Sequence, residues 1–289
     1  MTARAGRHLL ARRTCLRNVA AVVIGSASGG GFLAACGQVP AAAVSSSQAK
    51  VVHHKRTGSA LVPLRFRSEA NLVANHAPGP VSIQGHIDRT WAKARVYTLS
   101  ATDQRVKSVG NIVGSTRALR YSKCYLLWDR TSLYVAEHRV QTPFGLPVVD
   151  PKLGTSMIVG DALGIFVATD HFTVQNYSTS GHYSVWATPR GPKGDHRPHM
   201  WFRFGSKGKQ INKYPRWPVA SRVTASGYVL TMAIPWAALQ VIPWKVTKGA
   251  RTAFTIAVST TGSKGTGWGM LMLIGSSSLP SRWGTLTLA

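Results

Sequence analysis

Acidic side chains are what this chain most lacks, with 9 Asp+Glu against 35 Lys+Arg in 289 residues. Only 15% of the chain is charged, where a typical domain is about a quarter charged. The basic share is ordinary, so the net charge of +26 comes from missing acids. Nucleic-acid binders gain charge by clustering added Lys and Arg, so no specific nucleic-acid partner is implied. Removing carboxylates suits an acidic exterior, where such groups would titrate near their reference pKa of about 4. It also leaves little material for carboxylate catalysis. Glycoside hydrolysis needs two carboxyl groups about 5–10 Å apart. The chain offers only Glu69, Asp88, Asp103, Asp129, Glu137, Asp150, Asp161, Asp170 and Asp195. No pair stands out, and Asp88, Asp129 and Asp161 read as turn residues using side-chain hydrogen bonds.

Other signatures are also missing. There is no nucleophile elbow and no P-loop or dinucleotide fingerprint, so neither a catalytic residue nor a cofactor is assigned. His182 and Ser184 are close in sequence but have no motif around them. Asp195-His196-Arg197-Pro198-His199 places two imidazoles beside a carboxylate. Imidazole protonates in acid and loses its metal affinity, so this reads as a polar loop and no metal site is assigned. Cysteine is scarce: Cys15, Cys36 and Cys124.

What is present begins with an export signal in residues 1–35. Arg4, Arg7, Arg12, Arg13 and Arg17 form a basic start, and Arg12-Arg13-Thr14-Cys15-Leu16-Arg17 resembles a twin-arginine motif. The apolar stretch from Val19 to Ala35 is weak and Gly-rich, unlike a membrane span of about 20 strongly apolar residues. It ends in Leu33-Ala34-Ala35-Cys36-Gly37, which resembles a bacterial lipobox with Cys36 as the lipidated residue. Acyl chains there would hold the protein at a membrane surface, outside the cytoplasm, each buried CH₂ contributing about 0.8 kcal/mol. Cleavage removes five arginines and leaves 30 basic residues against 9 acids, a net charge of +21. Cys124 would then stand alone, without an internal disulfide, as a small hydrophobe in the apolar run Tyr121 to Leu127.

Residues 36–60 read as a flexible tether rich in Ala and Ser, with the basic run His53-His54-Lys55-Arg56. Residues 61–289 are long enough for one substantial core. Their pattern predicts an all-β fold, an antiparallel β-sandwich of jelly-roll type with few short helices. Expected strands include Leu61–Arg67, Cys124–Asp129, Leu133–Glu137, Ala162–Ala168, Tyr183–Thr188, Tyr228–Pro235, Phe254–Thr260 and Gly284–Ala289. Helical pattern is confined to Thr90–Val96 and a turn after Trp236.

Five segments in order carry a resemblance: Ile83–Ala94, Leu126–Val135 with its Trp-Asp and Leu-Tyr-Val elements, Gly160–Val167, Gly227–Trp236 and Arg282–Leu286. Together they resemble the family-9 carbohydrate-binding module over about residues 80–289. The resemblance implies a sugar-binding β-sandwich of a kind often joined to xylan-degrading enzymes. Three positions depart from it: Gln84 stands where the family tends to have Asp, and Gly164 and Thr231 where it tends to have acids. These departures bear on any calcium site or carboxylate–sugar hydrogen bond the family would supply.

Sugar sites pair an aromatic platform with a few hydrogen-bonding groups, as small-ligand pockets generally do. Trp186, Trp201, Trp217, Trp244 and Trp268 lie outside the five segments. Trp201 and Trp217 flank a donor-rich stretch read as a loop, and Tyr214-Pro215-Arg216-Trp217-Pro218 cannot be a regular strand. The candidate sugar-binding set is therefore Trp201, Trp217, Tyr214, Trp186, Arg203 and Arg216. Trp91, Trp128, Trp236 and Trp283 read as core. Two other functions remain open: electrostatic binding of anionic polymers or envelope surfaces, and a domain associated with a carbohydrate-active hydrolase.

Overall fold

A computed structural model describes residues 71–100, 107–109, 119–141, 160–169, 181–191, 195–240, 244–261, 268–274 and 282–289, with backbone alone at 107–109, 261 and 268. The chain divides into two compact units, Met1–Leu61 and Val62–Ala289, and every described residue lies in the second. The export signal, Cys36, the tether and the expected strand Leu61–Arg67 lie outside the described residues.

Two sheets pack face to face. One is built on β4 (Leu119–Trp128), β5 (Ser132–Gln141), β10 (Val219–Thr224) and β11 (Gly227–Pro235), in the order β10-β11-β5-β4, with β2 (Arg95–Leu99) also on β4. The other runs β14 (Gly284–Leu288), β12 (Arg251–Thr261), β6 (Ala162–Ala168), β7 (His182–Thr188), β8 (His199–Ser206), β9 (Lys209–Lys213). β13 (Trp268–Met272) lies beside β12, and β3 (Lys107–Val109) beside β13. Pairing is antiparallel except at β1 (Asn71–His76). This strand runs parallel to β14 through Asn71–Ala74 and parallel to β4 through Asn75–His76, so it links the two sheets.

Period-two alternation explains the core. Leu126 and Trp128 of β4, Leu133 and Val135 of β5, and Leu230 and Met232 of β11 meet Ile165, Val185, Phe202 and Ile256 of the facing sheet. Cys124 is buried in the same layer, and burial pushes its thiol pKa far up, as expected of an inert core residue.

The Thr90–Val96 helix does not form. Asp88 accepts a hydrogen bond from Thr90 N at 2.8 Å and caps a single 3-10 turn, Arg89–Trp91. The β-favouring residues Val96, Tyr97 and Thr98 then pair with β4. The expected turn after Trp236 is the 3-10 helix Trp236–Leu239. The stretch from 203 to 213, read as a loop, is instead the β8–β9 hairpin, turning through Lys207 and Gly208, both at positive φ.

Candidate functional site

Alternation along β8 divides the candidate residues. Trp201 lies on the outer face of its sheet, whereas Phe202 and Phe204 face the core, and Trp217 packs beside Phe202 with ring centroids 4.9 Å apart. Trp201 and Trp217 therefore do not form one platform, because β8 stands between them.

The outer face gathers Phe166 of β6, Trp186 of β7, Trp201 of β8, Met270 and Met272 of β13, and Trp283. Trp186 and Trp201 are register partners. Phe166 meets Trp186 and Trp283 edge-on, each at 5.5 Å, and the Arg203 guanidinium lies 5.0 Å from the Trp201 ring centre. These two Trp rings are closed to solvent, 2% and 1% exposed, so neither is a displayed stacking surface. Their indole Nε1 atoms and the Ser184 hydroxyl are buried without hydrogen-bond partners, although a buried indole N–H usually finds one. Trp91, Trp128 and Trp236 instead donate to the carbonyls of Ser82, Ala289 and Asp129.

Gly164 belongs to this face. It pairs with Trp186 across β6–β7, and a Cβ built on it would lie 2.8 Å from two carbons of the Trp186 ring. The indole occupies the space where the family tends to carry an acid, so an acid and this Trp placement exclude each other. At a second departure, Thr231 is buried and accepts from Gly85 N at 2.9 Å, tying the Ile83–Ala94 segment to β11. Gln84 is exposed.

The accessible aromatics lie elsewhere. Phe202, Phe204, Lys213, Tyr214, Pro215, Trp217, Ala237, Ala238 and Gln240 line an open groove of about 560 Å³. The two prolines keep residues 214–218 out of the sheet, which displays Tyr214 at 45% exposure. Trp217 is half-buried, Arg216 is exposed, and the Lys213 ammonium sits 5.4 Å from the Phe204 ring centre. Trp244 packs edge-on against Trp236 at 5.4 Å. The side chain of Trp268 lies outside the described residues.

The acids among the described residues are all engaged. Asp129 accepts from Thr131, Ser132 and Tyr134; burial opposes ionisation, but these bonds hold its pKa below the usual value. Asp195 accepts from Arg197 and meets His199 at 2.8 Å, chiefly the former holding its pKa far down. Residues 195–198 lie outside the strands, while His199 opens β8; among the described residues no group of three or more His, Cys, Asp or Glu is placed to hold a metal.

Asp161 lies in the bend before β6, but its carboxylate serves the core rather than the turn. It is buried, 3.6 Å from Arg139, and accepts from Gln141 at 2.9 Å. Arg139 also pairs with Glu137 at 2.7 Å and donates to the carbonyls of Ser259 and Ala162. Ser122 and Tyr228 complete the shell of Glu137 at 2.6 and 3.0 Å. Burial lowers the guanidinium pKa, but the charge of Glu137 and its neighbours outweighs this and raises it. Sequence reasoning missed this cluster. The available signal was Glu137-x-Arg139-x-Gln141, which continues the core-facing alternation of Leu133 and Val135.

Among solved structures, the chain resembles a family 9 carbohydrate-binding module from Caldicellulosiruptor kristjanssonii in complex with cellotriose, with 14% identity, a TM-score of 0.48, and 75% of this chain and 93% of that chain covered. A candidate carbohydrate-binding protein from Bacteroides uniformis shares its fold, with 11% identity, a TM-score of 0.50, and 76% and 99% covered. No curated protein matches the chain. Residues 83–289, which include all five ordered segments, match the family described as carbohydrate family 9 binding domain-like, and the chain belongs to that family.

Proposed function

We propose that this protein is an exported carbohydrate-binding module that stacks a sugar on Tyr214 and Trp217. Lys213 lines the same groove and supplies a hydrogen-bond donor. The observation carrying this reading is the open aromatic groove, in a chain whose family is named for carbohydrate binding. Flat sugar C–H faces suit such rings, and a nearby donor fixes orientation. The closed outer face supports a structural role for Trp186 and Trp201. The reading is binding rather than turnover: among the described residues, the two carboxylates brought together, Glu137 and Asp161, are sealed in the core around Arg139.

Lipidation at Cys36 would hold the module at the membrane surface, and the shortage of acids fits an acidic exterior. A Cys36→Ala variant is expected to leave the membrane fraction. The direct test of the groove is a glycan screen of the full chain at about pH 3 and pH 7, bracketing carboxyl titration, at low and high salt. Salt-resistant binding that Tyr214→Ala and Trp217→Ala each weaken about tenfold is expected, the size of one stacking contact. Binding to no glycan, or binding indifferent to both changes, overturns the proposal.

A further inference from the structure

The outer face of the sheet built on β4 and β5 carries a basic and aromatic group that the groove does not use. Alternation turns Ser122 and Cys124 of β4, and Glu137 and Arg139 of β5, into the core. It turns Tyr121, Lys123 and His138 outward, all three half-buried. Lys123 and His138 are register partners on neighbouring strands. Tyr121 gathers them: the Lys123 ammonium lies 5.3 Å from its ring centre, and the His138 ring meets it edge-on at 5.9 Å. A β-bulge marks the place. Leu119 pairs with Gln141 and Tyr121 with Val140, so Arg120 is the extra residue, and it is exposed.

The same cross-strand row continues from His138 over Val229 of β11 to Arg222 of β10, which is also exposed. The segment crossing the next row is tied to Thr231 through Gly85 N, and there His86 and Asp88 pair with each other at 3.5 Å. The charged groups around His138 on its own face are therefore Lys123, Arg120 and Arg222. Like charges directly opposite on neighbouring strands repel, and an imidazole gains its charge as pH falls below about 6.5. An anion seated between Lys123 and a protonated His138 turns that repulsion into two charge-assisted hydrogen bonds.

We propose that Tyr121, Lys123 and His138 form a binding site for a strong-acid oxyanion, the sulfate or phosphate ester of a glycan, and that the site fills on acidification. Such an ester keeps a negative charge in acid, where a carboxylate is neutralised at about pH 4. The ammonium and the imidazolium donate to its oxygens, and the Tyr121 hydroxyl adds a third donor. Arg120 and Arg222 draw the polymer to the face, an attraction that salt screens. This site lies on a different sheet from the β8 residues of the groove and does not rest on the groove reading.

The test uses the full chain with dextran sulfate, and with dextran as the same polymer without charge, at about pH 5 and about pH 8, either side of imidazole titration. Dextran sulfate is expected to bind about tenfold tighter at the lower pH, the size of one charge-assisted contact. His138→Gln should remove that gain. Lys123→Gln should weaken binding about tenfold at the lower pH, while Lys123→Arg retains it, separating charge from folding. Lys248→Gln, which removes an equal charge from an exposed loop, should change affinity less than about twofold. Dextran phosphate runs in parallel, and either ester behaving in this way supports the site. A pH gain that survives His138→Gln overturns it, as does a Lys123→Gln loss no larger than that of Lys248→Gln. Binding to phosphatidylglycerol vesicles that needs both residues, without binding to either dextran ester, overturns the glycan as the occupant.

Discussion

Gly164 shows how one atom sets the character of a whole face. Without a Cβ, it lets the Trp186 ring lie against β6 and close over the sheet. Gly164→Ala forces a contact of 2.8 Å with a large ring that is itself buried. Overpacking of this kind costs about 1–3 kcal/mol, read as a lowered urea midpoint; an unchanged midpoint would mean that the ring swings clear. Arg139 decides the opposite end of the polarity scale. Arg139→Met leaves Glu137 and Asp161 buried without their guanidinium, and breaking a buried pair costs about 3–5 kcal/mol. Urea unfolding would show this directly. A loss below about 1 kcal/mol would contradict a buried ion pair at this position.

At the scale of elements, the β8–β9 hairpin and the segment after it explain why neighbouring aromatics have different duties. Trp217 packs against Phe202 in the core layer, while Tyr214 stands out from it. Trp217→Ala is therefore expected to lower stability by about 1–3 kcal/mol, part of a full Trp truncation, as well as glycan affinity. Tyr214→Ala should stay within about 0.5 kcal/mol in stability while losing affinity. Thermal melts and binding measured side by side check this split, which fails if the two variants lose stability equally. The strands themselves were readable from alternation, as in Tyr183–Thr188 and Tyr228–Pro235. The hairpin was not, because lysines and Gly208 gave residues 203–213 the composition of a loop while register with β7 built them into the sheet.

For the molecule as a whole, the few acids that remain are well used. Each of the five described, Asp88, Asp129, Glu137, Asp161 and Asp195, has a hydrogen-bonding or ionic partner. The carboxyls of Asp88 and Asp195 are held below the ordinary value of 3.8 mainly by hydrogen bonds from Thr90 and Arg197. At Asp129 hydrogen bonds outweigh the opposing effect of burial. A carboxyl with a lowered folded pKa stabilises the protein fully above its unfolded value, and that stability is lost as pH falls through the folded value. Melting temperature is thus expected to hold steady from neutrality to about pH 4 and to decline only below that, near the unfolded carboxyl value. A decline already complete by about pH 5 would contradict this pattern, and with it the proposed acid adaptation.

The sequence by itself determined the all-β class, the order of the family segments and the core roles of Trp91, Trp128, Trp236 and Trp283, because these depend on local alternation and on motifs a few residues long. Only the tertiary structure decided that Trp186 and Trp201 are sealed while Tyr214 is open, that Trp201 and Trp217 lie on opposite sides of β8, and that Asp161 meets Arg139 and Gln141 in the core. The physical reason is register: cross-strand neighbours are chosen by hydrogen-bonded pairing between distant segments, and a shift of one residue moves every side chain to the other face.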